Sequence, residues 1–278
     1  MIATSTSGTT SDTSTRKLQS ASKGSQLPKT KSIVDTSRGG DDRAKWPSSG
    51  FQQRPVLNKF SFDYLNGDRN FERLRLQPDE SGVSVSMQDR TRNDSYRWKV
   101  TGVEVPPGTQ FGTVEREGQT GCTTVNIRKV RDKVAVLQGF DLRFNDDRNI
   151  DRLRVTVSDS ATTSKPTVTV CLSDRNSDDR YSFEVSYALI DKNAIVSTDS
   201  ANRQNDQGGL DDSVPLNIPP NTVPVITGFD FNFASGDRNF DKAQVDLNQD
   251  GRINMIFADI NNDDPYRWSV DYAFMTIQ

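Results

Sequence analysis

The chain has 278 residues, 32% of them hydrophobic and 26% charged, and a formal net charge of -3. No apolar run approaches the roughly 20 residues that a membrane-spanning helix needs. His is absent and Cys occurs twice, which removes the commonest general base and the commonest transition-metal ligand and argues against a triad hydrolase or a zinc enzyme.

The first 50 residues hold 19 Ser or Thr, 8 Lys or Arg and 4 Asp or Glu, with few large apolar side chains. Such a segment cannot bury enough surface to offset its ordering entropy, so residues 1–50 are expected to form a disordered arm. It lacks the apolar core of a secretory signal. Its surplus of positive charge is spread too thinly for a phosphate backbone, so nucleic acid is not an expected partner.

Beyond the arm the chain repeats itself. The first copy opens LNKFSFDYLNGDRNFERLRL and closes NDSYRWKVTGVEV. The second opens LQGFDLRFNDDRNIDRLRV and closes SDDRYSFEVSYALI, and the third opens ITGFDFNFASGDRNFDKAQVDL and closes NDDPYRWSVDYAFM. Spacings of 79 and 90 positions between the Asp-Arg-Asn triplets make each copy domain-sized. The division expected is 51–105, 106–190 and 191–278.

Within each copy apolar residues alternate with period two, the mark of half-buried strands. Phe60, Phe62 and Tyr64 begin the series in the first copy; Leu74 and Leu76, then Val83, Val85 and Met87, then Tyr96, Trp98 and Val100 follow. The other copies give the same four runs, and no helical periodicity appears. The fold class is all-β: repeated small antiparallel sandwiches of about six strands in the second and third copies. The first copy reads as shorter, borrowing strands from a neighbour. Segment 191–225 reads as a long loop with one or two short strands near Val223 and Val225.

Three groups of residues invite chemistry. The triplets Asp68-Arg69-Asn70, Asp147-Arg148-Asn149 and Asp237-Arg238-Asn239 suit tight turns, because Asp and Asn bond nearby backbone and tolerate left-handed angles. A sugar or cation site is the alternative there. Their near identity in all copies points to a corner of the fold instead. The loops before the last run of each copy hold Asn93, Asp94 and Arg97; Asn176, Asp178 and Asp179; and Asn262, Asp263, Asp264 and Arg267. Planar carboxylates and amides beside an aromatic pair suit vicinal sugar hydroxyls and ring stacking, provided the rings do not point into the core. Asp246, Asn248 and Asp250 match the opening of a calcium loop, but the twelfth position is Phe257 and no helices flank it, so an Asp-Gly hairpin is the preferred reading and calcium the alternative. No other cofactor is expected. Cys122 and Cys171 are either bridged or two small core residues.

The stretch PTVTVCLSD (Pro166 to Asp174), followed by a polar loop and the aromatic strand YSFEVSYALI (Tyr181 to Ile190) or YRWSVDYAFM (Tyr266 to Met275), resembles the H-type lectin domain. That resemblance implies a six-stranded antiparallel sandwich, assembly as trimers or pairs of trimers, and binding of galactose-type sugars. The loops from Asp174 to Arg180 and from Asp259 to Pro265 lack the aromatic residue of the family's sugar site, so sugar specificity does not carry over. Three copies in one chain could then close an internal pseudo-trimer. Two roles follow from the sequence: a non-enzymatic, lectin-like protein engaging glycans or cell surfaces, or a structural component of a particle or fibre whose arm joins it to further copies or partner subunits.

Overall fold

The computed structural model describes residues 29–65, 72–88, 94–118, 121–128, 130–144, 150–158, 165–174, 180–206, 212–233, 241–248, 250–258 and 264–277. The three Asp-Arg-Asn triplets lie outside these, as do Asn93, Asn176, Asp178, Asp179, Asn262 and Asp263.

The strands fall into three sets of six. The first set is β1 (Thr30–Arg38), β2 (Asp41–Lys45), β3 (Val56–Tyr64), β4 (Arg73–Pro78), β5 (Gly82–Gln88) and β6 (Ser95–Val103). The second is β7 (Gln110–Gly118), β8 (Gly121–Asn126), β9 (Lys133–Phe144), β10 (Ile150–Ser158), β11 (Thr167–Asp174) and β12 (Tyr181–Asp191). The third is β13 (Ile195–Asn205), β14 (Ser213–Pro215), β15 (Thr222–Phe233), β16 (Lys242–Asn248), β17 (Arg252–Ala258) and β18 (Tyr266–Thr276). One 3-10 turn, Lys192–Ala194, joins β12 to β13. All-β holds, and each alternating run read from the sequence is a strand with its apolar face buried.

The sheets do not follow the copies. Their orders are β1-β6-β3-β16-β17-β14, β2-β5-β4-β9-β12-β7 and β13-β18-β15-β10-β11-β8. Every sheet therefore joins the first, sixth and third strands of one copy to the fourth, fifth and second of another, and the exchange closes cyclically. Within the third copy the two half-sheets face each other, with Phe257 stacked on Phe231 and Phe233 at ring separations of 4.9 and 4.3 Å.

Equivalent side chains meet where the three copies converge. Phe60, Phe140 and Phe229 touch pairwise at 5.5, 5.1 and 5.6 Å between ring centres. Val56, Val136 and Val225, each four residues earlier, belong to a second apolar layer. A bulge separates the two layers in every copy, and its extra residue is Asn58, Gln138 or Thr227. All three are buried polar groups. Asn58 donates its amide to the carbonyls of Pro224 and Leu247, and Gln138 to that of Pro78, so two of the bulges fasten one copy to another.

The structure corrects three expectations. Residues 30–45 are not part of a disordered arm; they form β1 and β2, paired along their length with β6 and β5. The first copy therefore has six strands like the others and is not short of strands, though its half-sheets pair with those of the second and third copies. Segment 191–225 contains the 11-residue β13, a strand almost wholly exposed along its sequence IVSTDSANRQN. As a sheet edge it is held by backbone bonds to β18 and buries little, so no alternation marks it. Cys122 and Cys171 form a disulfide between directly opposed residues of β8 and β11.

Candidate functional site

The aromatic pair of each last strand faces inward. Tyr96, Trp98, Tyr181, Phe183, Tyr266 and Trp268 are all buried. Trp98 donates its indole N–H to Asp42 at 3.0 Å and Trp268 donates to Asp212 at 2.5 Å. The Tyr181 hydroxyl reaches Val170 and Thr123, and the Tyr266 hydroxyl reaches the Met255 carbonyl. Burial pushes the Tyr96 and Tyr266 phenols up to about 12. None of these rings is presented to a sugar, which removes the stacking half of the loop-site reading. Of its polar half, Asp94 is buried, Asp264 is half-buried, and Arg97 and Arg267 project outward from β6 and β18.

The calcium candidate resolves into a hairpin. Asp246 and Asn248 sit on β16, and Gly251 takes a φ of +83° at the turn into β17, a backbone angle that favours glycine. The buried Asp246 carboxylate is ion-paired with Lys59 of β3. Asp250 is exposed at the turn. Among the described residues no group of three His, Cys, Asp or Glu side chains gathers to hold a metal.

The triplets precede the strands that cross between copies, and the described flanks show where they lead. Tyr64 donates its backbone N–H to Asp241 and Phe144 to Glu72, the acidic residues that follow two of the triplets. Each bond runs between copies. Just beyond, the seams carry ion pairs. Arg73 grips Asp141 with both ends of its fork, at 2.8 and 2.7 Å, and Arg143 adds a bond of 2.9 Å. Arg152 grips Asp230 in the same way at 2.9 and 2.6 Å. Lys59 and Asp246 mark the third seam. For Asp141, burial acts to raise the pKa, but the hydrogen bonds from Arg73 and Arg143 outweigh it and hold the carboxyl below its ordinary range.

Outside the core, two concave faces occupy equivalent places on different sheets. One, of about 470 Å³, lies over β13, β18 and β15; the other, of about 360 Å³, lies over β7, β12 and β9. The register sets two rows across the first: Gln204, Arg267 and Asn232, then Asn202, Ser269 and Asp230. The same rows on the second read Glu117, Ser182 and Arg143, then Glu115, Glu184 and Asp141. Sequence reasoning placed Arg267 in a loop site and missed its neighbours, because only the strand pairing brings residues 202–204, 230–232 and 267–269 together.

No family model matches the chain. No curated protein matches it. Among solved structures it is similar to the major capsid protein P2 from bacteriophage PM2, at 6% identity and a TM-score of 0.22, over 60% of this chain and 99% of that one. A likeness so slight bears on neither fold nor role.

Proposed function

We propose that the chain is a non-enzymatic building block of a larger particle or surface assembly, a three-part β-block made from one polypeptide. The observation that carries this reading is the cyclic exchange of half-sheets around Phe60, Phe140 and Phe229, which gives one molecule three near-equivalent sides. Such a block fits neighbours that come in threes. Residues 1–28, rich in Ser and Thr, precede β1 in the sequence and are the segment that would join one block to the next. The test is the mass of the full chain in solution against that of a chain lacking residues 1–28. Assembly that grows with concentration and disappears on deletion supports the reading; two proteins that stay monomeric at every concentration sink it.

A lectin-like role is the second reading. It is favoured by six strands per copy around a common axis, the arrangement that the H-type lectin resemblance implies. A glycan array probed with the full chain tests it, and silence at every ligand density would remove it.

A further inference from the structure

The concave face over β13, β18 and β15 is unlike its counterpart in a way that has chemical meaning. In the second copy the rows hold Glu115, Glu117 and Glu184, with Arg116 also lining the face and Asp141 already held by Arg73 and Arg143, so carboxylates outnumber the free cations there. In the third copy the same positions hold three carboxamides, a hydroxyl, one carboxylate and Arg267. That carboxylate, Asp230, is already saturated by the fork of Arg152. Arg203, also on the rim, is committed to Asp212 at 3.0 Å. Arg267 is exposed and makes no ion pair among the described residues. It stands directly between Gln204 and Asn232 on the adjacent strands.

The face therefore offers a guanidinium fork with no ion-pair partner among the described residues, flanked by the Asn232 amide and by Gln204, which donates one amide hydrogen to Asp206 and keeps its amide oxygen and second hydrogen, with Asn202 and Ser269 in the next row. Neighbouring strands are about 4.8 Å apart and same-face residues about 6.8 Å apart along a strand, which is the scale of one sugar ring. Arg matches a carboxylate through two parallel bonds, and amides serve hydroxyls as donor and acceptor together. A nucleic-acid backbone needs several cations in line, and a lipid needs an apolar floor. Neither is provided here. We infer that this face binds a carboxylate-bearing saccharide, with Arg267 taking the carboxylate and Gln204, Asn232, Asn202 and Ser269 the ring hydroxyls.

The inference stands apart from the assembly reading, since it needs neither residues 1–28 nor a second copy. It also differs from a loop sugar site, because every residue named lies on a strand. The experiment titrates the full chain with trigalacturonate and with its methyl ester, by calorimetry and by amide chemical shifts. The acid is expected to bind about tenfold more tightly than the ester, with shifts centred on residues 202–204, 230–232 and 267–269. Arg267→Met is expected to weaken the acid about tenfold while leaving Tm unchanged, and Asn232→Ala to weaken it about fivefold. Equal affinity for acid and ester, undiminished binding by Arg267→Met, shifts confined to the loops before β6 and β18, or no binding at the solubility limit of the acid would each overturn it.

Discussion

Asp141 sits at the seam between the first and second copies with two arginines on its carboxylate, and Asn in its place keeps the shape but drops the charge. Removing one partner of a buried pair leaves the other uncompensated, so Asp141→Asn is expected to cost about 3 kcal/mol at neutral pH in urea melts. The folded pKa of Asp141 lies below its unfolded value, so its contribution is complete above the ordinary carboxylate pKa of about 3.9 and fades as pH falls through the lower folded value. The gap between wild type and variant should therefore narrow at pH 3; a gap that persists there would mean that charge is not what the seam uses. On the axis, Phe140→Ala removes a ring that touches both equivalents, with an expected loss of about 4 kcal/mol. Phe60→Ala on top of it should cost less than the two single losses added together, because the rings share one packing site.

At the level of strands, what could be read from the sequence was what buries a face. β3, β4, β5, β6 and their counterparts announce themselves through Phe60, Phe62, Leu74, Leu76, Val83, Val85 and Trp98, all fully or nearly fully buried. The edge strands β1, β7 and β13 are held by backbone bonds to β6, β12 and β18, and their polar, exposed residues carry no period to find. The arm was misjudged for the same reason: composition reports burial, whereas β1 and β2 gain their order from a partner strand already in place. β8 is another edge, fastened to β11 by the Cys122–Cys171 bridge across a 49-residue separation. Closing a loop of that size stabilises by about 2–4 kcal/mol. A Cys122→Ser/Cys171→Ser chain should lose that much in chemical denaturation, and a loss within error of zero would show that pairing alone holds the edge. Gly139 marks how tightly the seams close, since a Cβ there would lie 2.5 Å from the backbone oxygen of Leu76.

Across the whole molecule, the repeat was legible and its consequence was not. Three copies of one pattern predict three equivalent sets of strands, but nothing in local periodicity says that the third and fourth strands of a copy belong to different sheets. That exchange falls between the third and fourth strands of every copy, and in two of them the fourth strand brings an arginine, Arg73 or Arg152, to a seam. The candidate site shared this fate, with Arg267 visible in sequence and Gln204 and Asn232 joined to it only by the register of a sheet. If every sheet spans two copies, no copy can unfold alone. Calorimetry of the full chain tests that most directly: one transition whose calorimetric and van't Hoff enthalpies agree is the expected result, with Phe140→Ala lowering the whole transition. Two or three separable transitions, with Phe140→Ala shifting only one of them, would contradict it.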